Sequence, residues 1–100
     1  MVLTVFRSRM RPGCDLAVVE KLGARMYELA TRMPGFISYK DFTAADGESV
    51  SLVEFESAET LLAWREHPEH QEAQRLGREQ LFTEYQIQIS TPSRTYRFPV

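Results

Sequence analysis

The chain contains no asparagine, one cysteine (Cys14) and two histidines (His67 and His70). Cys14 has no partner for an internal disulfide, and one cysteine with two histidines makes no recognisable zinc pattern. A reduced thiol in a cytoplasmic protein is the expectation. No run of apolar residues approaches the ~18 that suggest a membrane-spanning helix. Residues 1–6 carry no basic leader and no cleavage site, so a secretory signal is not expected either. Twelve basic side chains face fourteen acidic ones, spread along the chain for a net charge of −2. Without a stripe of Lys or Arg there is no electrostatic footprint for nucleic acid. The five glycines form no phosphate loop, and none of the serines sits in a Gly-x-Ser-x-Gly elbow, so nucleotide binding and triad hydrolysis are unsupported.

What is present is ordinary for one compact domain: 100 residues, 43% apolar and 26% charged. Residues 2–8 are rich in β-branched and aromatic side chains and stop at Arg11-Pro12-Gly13, a strand followed by a turn. Asp15 suits the N-cap of a helix whose apolar stripe is Leu16, Val19, Gly23, Met26, Ala30 and Met33, ended by Pro34-Gly35. Strands at 36–43 and 49–56 flank Asp46-Gly47, a tight-turn dipeptide. Ser57 can cap a helix from Ala58 to Glu66, Pro68 interrupts it, and a third helix is expected to reach Gln80. Residues 82–91 alternate with a period of two and form a fourth strand. The order is β-α-β-β-α-α-β, a ferredoxin-like α+β fold with a four-stranded antiparallel sheet over residues 1–91 and a tail at 92–100.

Helices cover one face of such a sheet. Ile37, Tyr39, Val53, Phe55, Tyr85, Ile87 and Ile89 are assigned to that face. The opposite set includes Phe36, Phe42, Val50 and Leu52, too apolar a group to stand in water. A second sheet is the natural cover, so a homodimer is expected, with Tyr96 and Phe98 of the tail forming an arm on the partner subunit.

Two constellations invite chemistry. His67 and His70 stand three apart, with Glu66 or Glu69 near enough to complete a metal site, but Pro68 puts a helix boundary between them. As general base, either imidazole would titrate near the working pH. Trp64 is the only tryptophan, and Phe6, Tyr27, Tyr39, Phe55, Phe82 and Tyr85 can gather around it into a pocket for a flat, mostly apolar ligand. Arg75 and Arg78 are expected to pair with Glu72 and Glu79 at the surface.

Met33-Pro34-Gly35-Phe36, Asp46-Gly47, Glu54-Phe55-Glu56-Ser57 and Ala63-Trp64-Arg65-Glu66-His67-Pro68-Glu69-His70, continuing through Gln74 and Gly77-Arg78, closely resemble the antibiotic biosynthesis monooxygenase (ABM) domain family. The likeness spans residues 1 to 90. It implies a dimeric α+β barrel with a pocket between helices and sheet, and oxidation of phenols or hydroquinones by O₂ with no flavin or metal cofactor. The family's haem-degrading branch uses an Asn, a Trp and a His. Their positions fall here at about Phe6, Trp64 and Gln74. Its polyketide-oxidising branch uses an Asn and a Trp on the third strand, where this chain has Ser51 and Phe55. The resemblance thus points to Phe6, Ser51, Phe55, Trp64 and Gln74, and with the aromatic cluster and the histidines read above the expected site is these residues and Tyr39, with His67 or His70 as the catalytic base. The lost asparagine leaves a non-catalytic ligand-binding or sensory module, and more remotely haem binding through a histidine, as alternatives.

Overall fold

The computed structural model describes residues 1–99; Val100, the last residue of the expected tail, lies outside them. Its elements are β1 (Val2–Met10), α1 (Leu16–Thr31), β2 (Phe36–Thr43), β3 (Ser49–Phe55), α2 (Ala58–Glu66), α3 (Pro68–Leu76), a π-helical turn at Gly77–Leu81, and β4 (Phe82–Ser90). Local chemistry explains most of these boundaries. The Asp15 carboxylate accepts from the Ala17 and Val18 amides and starts α1. Ser57 and Thr60 form a reciprocal capping box at the start of α2. Pro68 occupies the first turn of α3, where its missing N–H costs nothing. In the β2–β3 turn Gly47 adopts φ +90°, and Asp46 Oδ1 accepts from the Glu48 amide at 3.0 Å.

The sheet runs β2-β3-β1-β4, every neighbouring pair antiparallel. This is the ferredoxin-like α+β topology that the sequence suggests. Three rows of paired residues cross its helix-facing side: Thr43, Ser49, Ser8 and Tyr85; Asp41, Ser51, Phe6 and Ile87; Tyr39, Val53, Thr4 and Ile89. Beyond them Val2 pairs with Phe55 under the helices. The core gathers Val2, Val53 and Phe55 with Met26, Leu29 and Ala30 of α1, Leu61 and Trp64 of α2, and Ala73 of α3. No helix among the described residues is long and apolar enough to cross a membrane.

Four details depart from the pattern. A bulge pairs Phe36 with Phe55 and Ser38 with Glu54, leaving Ile37 as the extra residue. Phe36 therefore packs on the core, edge-on to Phe55 at 5.9 Å, and Ile37 is 46% exposed, the reverse of the faces assigned by alternation. Ile89 is also 45% exposed, because β4 is an edge strand. The third helix ends at Leu76 and gives way to the π-helical turn. There a Cβ on Gly77 would meet the Phe82 ring at 2.8 Å, so the turn depends on a residue without one. Finally, α1 buries only its second half. Met26, Leu29 and Ala30 are enclosed, whereas Leu16 at the head of the stripe is 61% exposed.

Candidate active site

Because the first half of α1 does not close down on the sheet, a cavity of about 780 Å³ lies between α1, α3 and the sheet floor. That volume suits a drug-sized or polycyclic ligand. Val19, Leu22, Gly23 and Met26 of α1 line its roof. At one end Trp64 stacks on the fully buried Phe55 (centroids 5.6 Å apart, planes at 28°) and meets Tyr39 edge-on at 6.1 Å. Tyr39 in turn touches Tyr27 at 5.5 Å. At the other end Phe6 packs against Phe82 at 5.8 Å and Tyr85 at 5.7 Å.

Of the eight residues singled out from sequence, six line this cavity: Phe6, Tyr39, Ser51, Trp64, His70 and Gln74. Phe55 does not; it lies beneath Trp64 as its stacking support. His67 also stands outside. It links α2 to α3, and its Nδ1 accepts from the Glu69 amide at 3.1 Å, so the imidazole does the capping work usually left to Ser or Asp. Glu69 is further held by a bidentate pair with Arg25, at 2.6 and 2.7 Å, which ties α3 to α1 at the surface. That pairing keeps the Glu69 carboxyl below the usual carboxylate range. On the outer side of α3, Arg75 bridges Glu72 and Glu79, whereas Arg78 reaches Tyr85 Oη at 3.4 Å.

The electrostatics of the cavity are set by burial. His70 packs edge-on against Trp64 at 4.4 Å, and desolvation, helped by the Arg65 cation, pushes its pKa down to about 4. It is a neutral imidazole near pH 7, so the premise that this histidine titrates near neutrality does not hold inside the fold. Desolvation likewise raises the Tyr39 hydroxyl to about 12, with Asp41 adding to the effect and the Ser51 hydroxyl opposing it. Tyr39 stays a proton donor across the physiological range. Three lining residues carry a buried polar atom with no partner among the described residues: Trp64 Nε1, His70 Nδ1 and Thr4 Oγ1. Each such group costs about 1–3 kcal/mol unless something satisfies it. A ligand that offers an acceptor to the indole N–H removes part of that penalty.

The low pKa of His70 has a consequence for stability. Between about pH 6.5 and pH 4 the unfolded chain binds a proton at His70 that the folded chain does not. Stability is therefore unaffected by this group above pH 6.5 and falls as the pH drops toward 4, by at most about 3 kcal/mol. Urea unfolding across this range is expected to show the slope, and His70→Gln to flatten it. An identical slope in the variant would mean that His70 is not the group responsible.

Sequence reasoning passed over Asp41 and Thr4. Asp41 lines the cavity from β2, and the Ser51 hydroxyl donates to its Oδ1. The signal was available: Asp41 is two residues from Tyr39, on the face assigned to the core, where a carboxylate is out of place.

A model of the antibiotic biosynthesis monooxygenase family matches residues 1–76. The Bacillus subtilis protein YqjZ, itself described as uncharacterized, is 31% identical over 74 residues, which are 74% of this chain. The chain spans 65% of that relative's length. Among solved structures, Rv0793 from Mycobacterium tuberculosis superposes with a TM-score of 0.82 at 24% identity, over 96% of this chain and 98% of its own. SnoaB from Streptomyces nogalater, described as a cofactor-independent oxygenase, gives 0.79 at 18% identity, over 99% and 97%. At these identities the two structures share the fold.

Proposed function

The chain belongs to the antibiotic biosynthesis monooxygenase family, and on that premise we propose that it is a cofactor-independent monooxygenase, using O₂ to oxidise a small aromatic, phenolic or quinol-type substrate. The observation that carries this reading is the aromatic cavity with an unpartnered indole N–H in its wall. An electron-rich phenolate can itself reduce dioxygen. The protein then has to orient the substrate, stabilise its anion and exclude water.

In this reading Trp64, Phe6 and Tyr39 clamp the ring system, and Ser51 and Gln74 contact its polar edge. The Trp64 N–H donates to the substrate oxygen on which charge develops. His70 accepts the hydrogen bond of the substrate hydroxyl through its free nitrogen. With a pKa of about 4 it is a weak base, so it takes the proton only to the extent that the Trp64 donor stabilises the anion left behind. The base role belongs to His70 rather than His67, whose Nδ1 is engaged at the helix start.

Oxygen uptake by the purified, metal-free protein against a panel of hydroquinones and hydroxylated anthracenes tests the proposal, with substrate-only controls beside it. Protein-dependent uptake supports it. A second reading, a ligand-binding module without turnover, is favoured by the weak basicity of His70 and the absence of asparagine. A ligand that binds in air and is recovered chemically intact, with no oxygen consumed, selects that reading over the first.

The working unit is proposed to be a homodimer. On the sheet face away from the helices, Leu3, Val5, Val50 and Leu52 form an apolar patch beside Phe42, which is 51% exposed. Such a surface calls for a cover. In this proposal Tyr96 and Phe98, 83% and 97% exposed, form an arm on the partner subunit. Light scattering at micromolar concentration is expected to return twice the 11.6 kDa chain mass. A monomer mass would remove both the dimer and the covered sheet.

A further inference from the structure

The floor of the cavity is polar, and at its β2 end it is open to solvent, with Asp41 and Thr43 exposed. Seven positions in its three rows carry a hydroxyl or a carboxylate on strands β1, β2 and β3: Thr4, Ser8, Tyr39, Asp41, Thr43, Ser49 and Ser51. The β4 side, by contrast, offers Tyr85 and Ile87. Thr4 is 4% exposed and its hydroxyl has no partner among the described residues, although it lines the cavity one row from Asp41. A buried hydroxyl left over in this way calls for a partner that the described residues do not supply. Asp41 has one oxygen taken by Ser51. Its other oxygen has no protein partner among the described residues. The charged side chains lining the cavity are Glu20, Asp41 and Arg65, an excess of one negative charge.

We propose that Asp41 is a specificity residue that reads a hydroxyl donor on the ligand, with Ser51 as the positioning residue that fixes its carboxylate. The proposal rests on the reading of this cavity as the substrate site and narrows its substrate class to aromatics bearing a free hydroxyl at the β2 end. A carboxylate has acceptors only, so it favours an O–H and gains nothing from an ether at the same place. Ser51 is the cross-strand partner of both Asp41 and Phe6, so it aims the carboxylate along the same row that the ring system occupies. The carboxylate at the β2 end, with no charged side chain lining the cavity from β4, then sets the ligand's direction in the cavity, hydroxyl toward Asp41 and ring edge toward Tyr85.

Calorimetric titration of the intact chain with 1,5-dihydroxynaphthalene and with 1,5-dimethoxynaphthalene tests this without requiring turnover. The dihydroxy probe is expected to bind on the order of tenfold more tightly, the preference anticipated for a hydrogen bond to a charged acceptor. In Asp41→Asn that ratio should fall several-fold. Ser51→Ala should lower it to an intermediate value and Ser51→Thr restore it, a rescue that a packing role alone would not produce. If both probes bind and the ratio is the same in wild type and Asp41→Asn, the assignment of Asp41 is overturned while the cavity reading stands. If neither probe binds the wild-type chain, the cavity reading falls and this proposal with it.

Discussion

Replacing Gly35 by alanine is expected to destabilise the fold by roughly 2–5 kcal/mol, through two effects that act at the same atom. Gly35 holds φ +84°, a left-handed conformation in which a Cβ is strained, at a cost of roughly 1–3 kcal/mol. The added Cβ would also stand 2.6 Å from both Cβ and Oγ1 of Thr60 and 2.7 Å from its Cγ2. Thr60 is poorly placed to give way. Its Oγ1 accepts from the Ser57 amide at 3.2 Å and donates to the Ser57 carbonyl at 3.0 Å, and its own amide donates to Ser57 Oγ. Turning the side chain aside opens the cap of α2. Moving the loop instead strains the bond from the Glu56 amide to the Gly35 carbonyl at 2.8 Å. Overpacking of this kind typically adds about 1–3 kcal/mol. In a domain of this size each kcal/mol lowers the melting temperature by about 4–8 °C, so the variant should melt about 8–40 °C early. Gly47→Ala is the comparison: φ is +90° there, but nothing lies within 4 Å of the new Cβ, so only the conformational part applies. Equal losses at the two sites would show that Thr60 yields freely and that the contact argument is wrong.

The Gly35 case shows what could and could not be read along the chain. Pro34-Gly35 announces the end of α1, because a proline followed by a glycine is local stop chemistry. That Gly35 must also admit Thr60 depends on packing across the chain, which no window of sequence displays. The same division holds elsewhere. Asp15 and Ser57 set helix starts through bonds to residues two or three positions away, Pro68 does so through its fixed φ, and the structure has those starts where the sequence puts them. The bulge at Ile37 arises from pairing with β3, a long-range effect, and the π-helical turn before Phe82 from the close packing of Gly77 on the Phe82 ring, which no periodicity displays. In the candidate site, the two histidines of His67-Pro68-Glu69-His70 were indistinguishable from sequence. Their separation follows from Pro68: the residue before it becomes the cap, and the residue two later turns inward against Trp64. Asp41 was legible in principle from its period-two relation to Tyr39, but a charged residue on a short strand reads more readily as solvent-facing.

Trp64→Ala is expected to abolish protein-dependent oxygen uptake and to destabilise the chain by about 3–5 kcal/mol, the cost usual for deleting a buried aromatic ring. The ring is 5% exposed, stacks on Phe55, and meets Tyr39 and His70 edge-on, so its removal leaves three neighbours without a packing surface and enlarges the cavity that it lines. Lost activity in that variant alone would not separate chemistry from unfolding. Trp64→Phe makes the separation. A phenyl ring retains most of the contact with Phe55 but carries no N–H, so the fold should survive with a smaller loss while the donor at Nε1 disappears. If that N–H stabilises the oxygen on which charge develops, turnover should fall by roughly tenfold to a hundredfold, as for a lost hydrogen bond to a charged group at about 1.5–3 kcal/mol. Naphthol binding should weaken less than turnover, because a neutral hydroxyl gains less from the donor than its anion does. Full uptake in a folded Trp64→Phe protein would reduce Trp64 to a wall and move the search for the anion-stabilising group to Thr4 and Tyr39, two hydroxyl donors that share one row of the cavity floor.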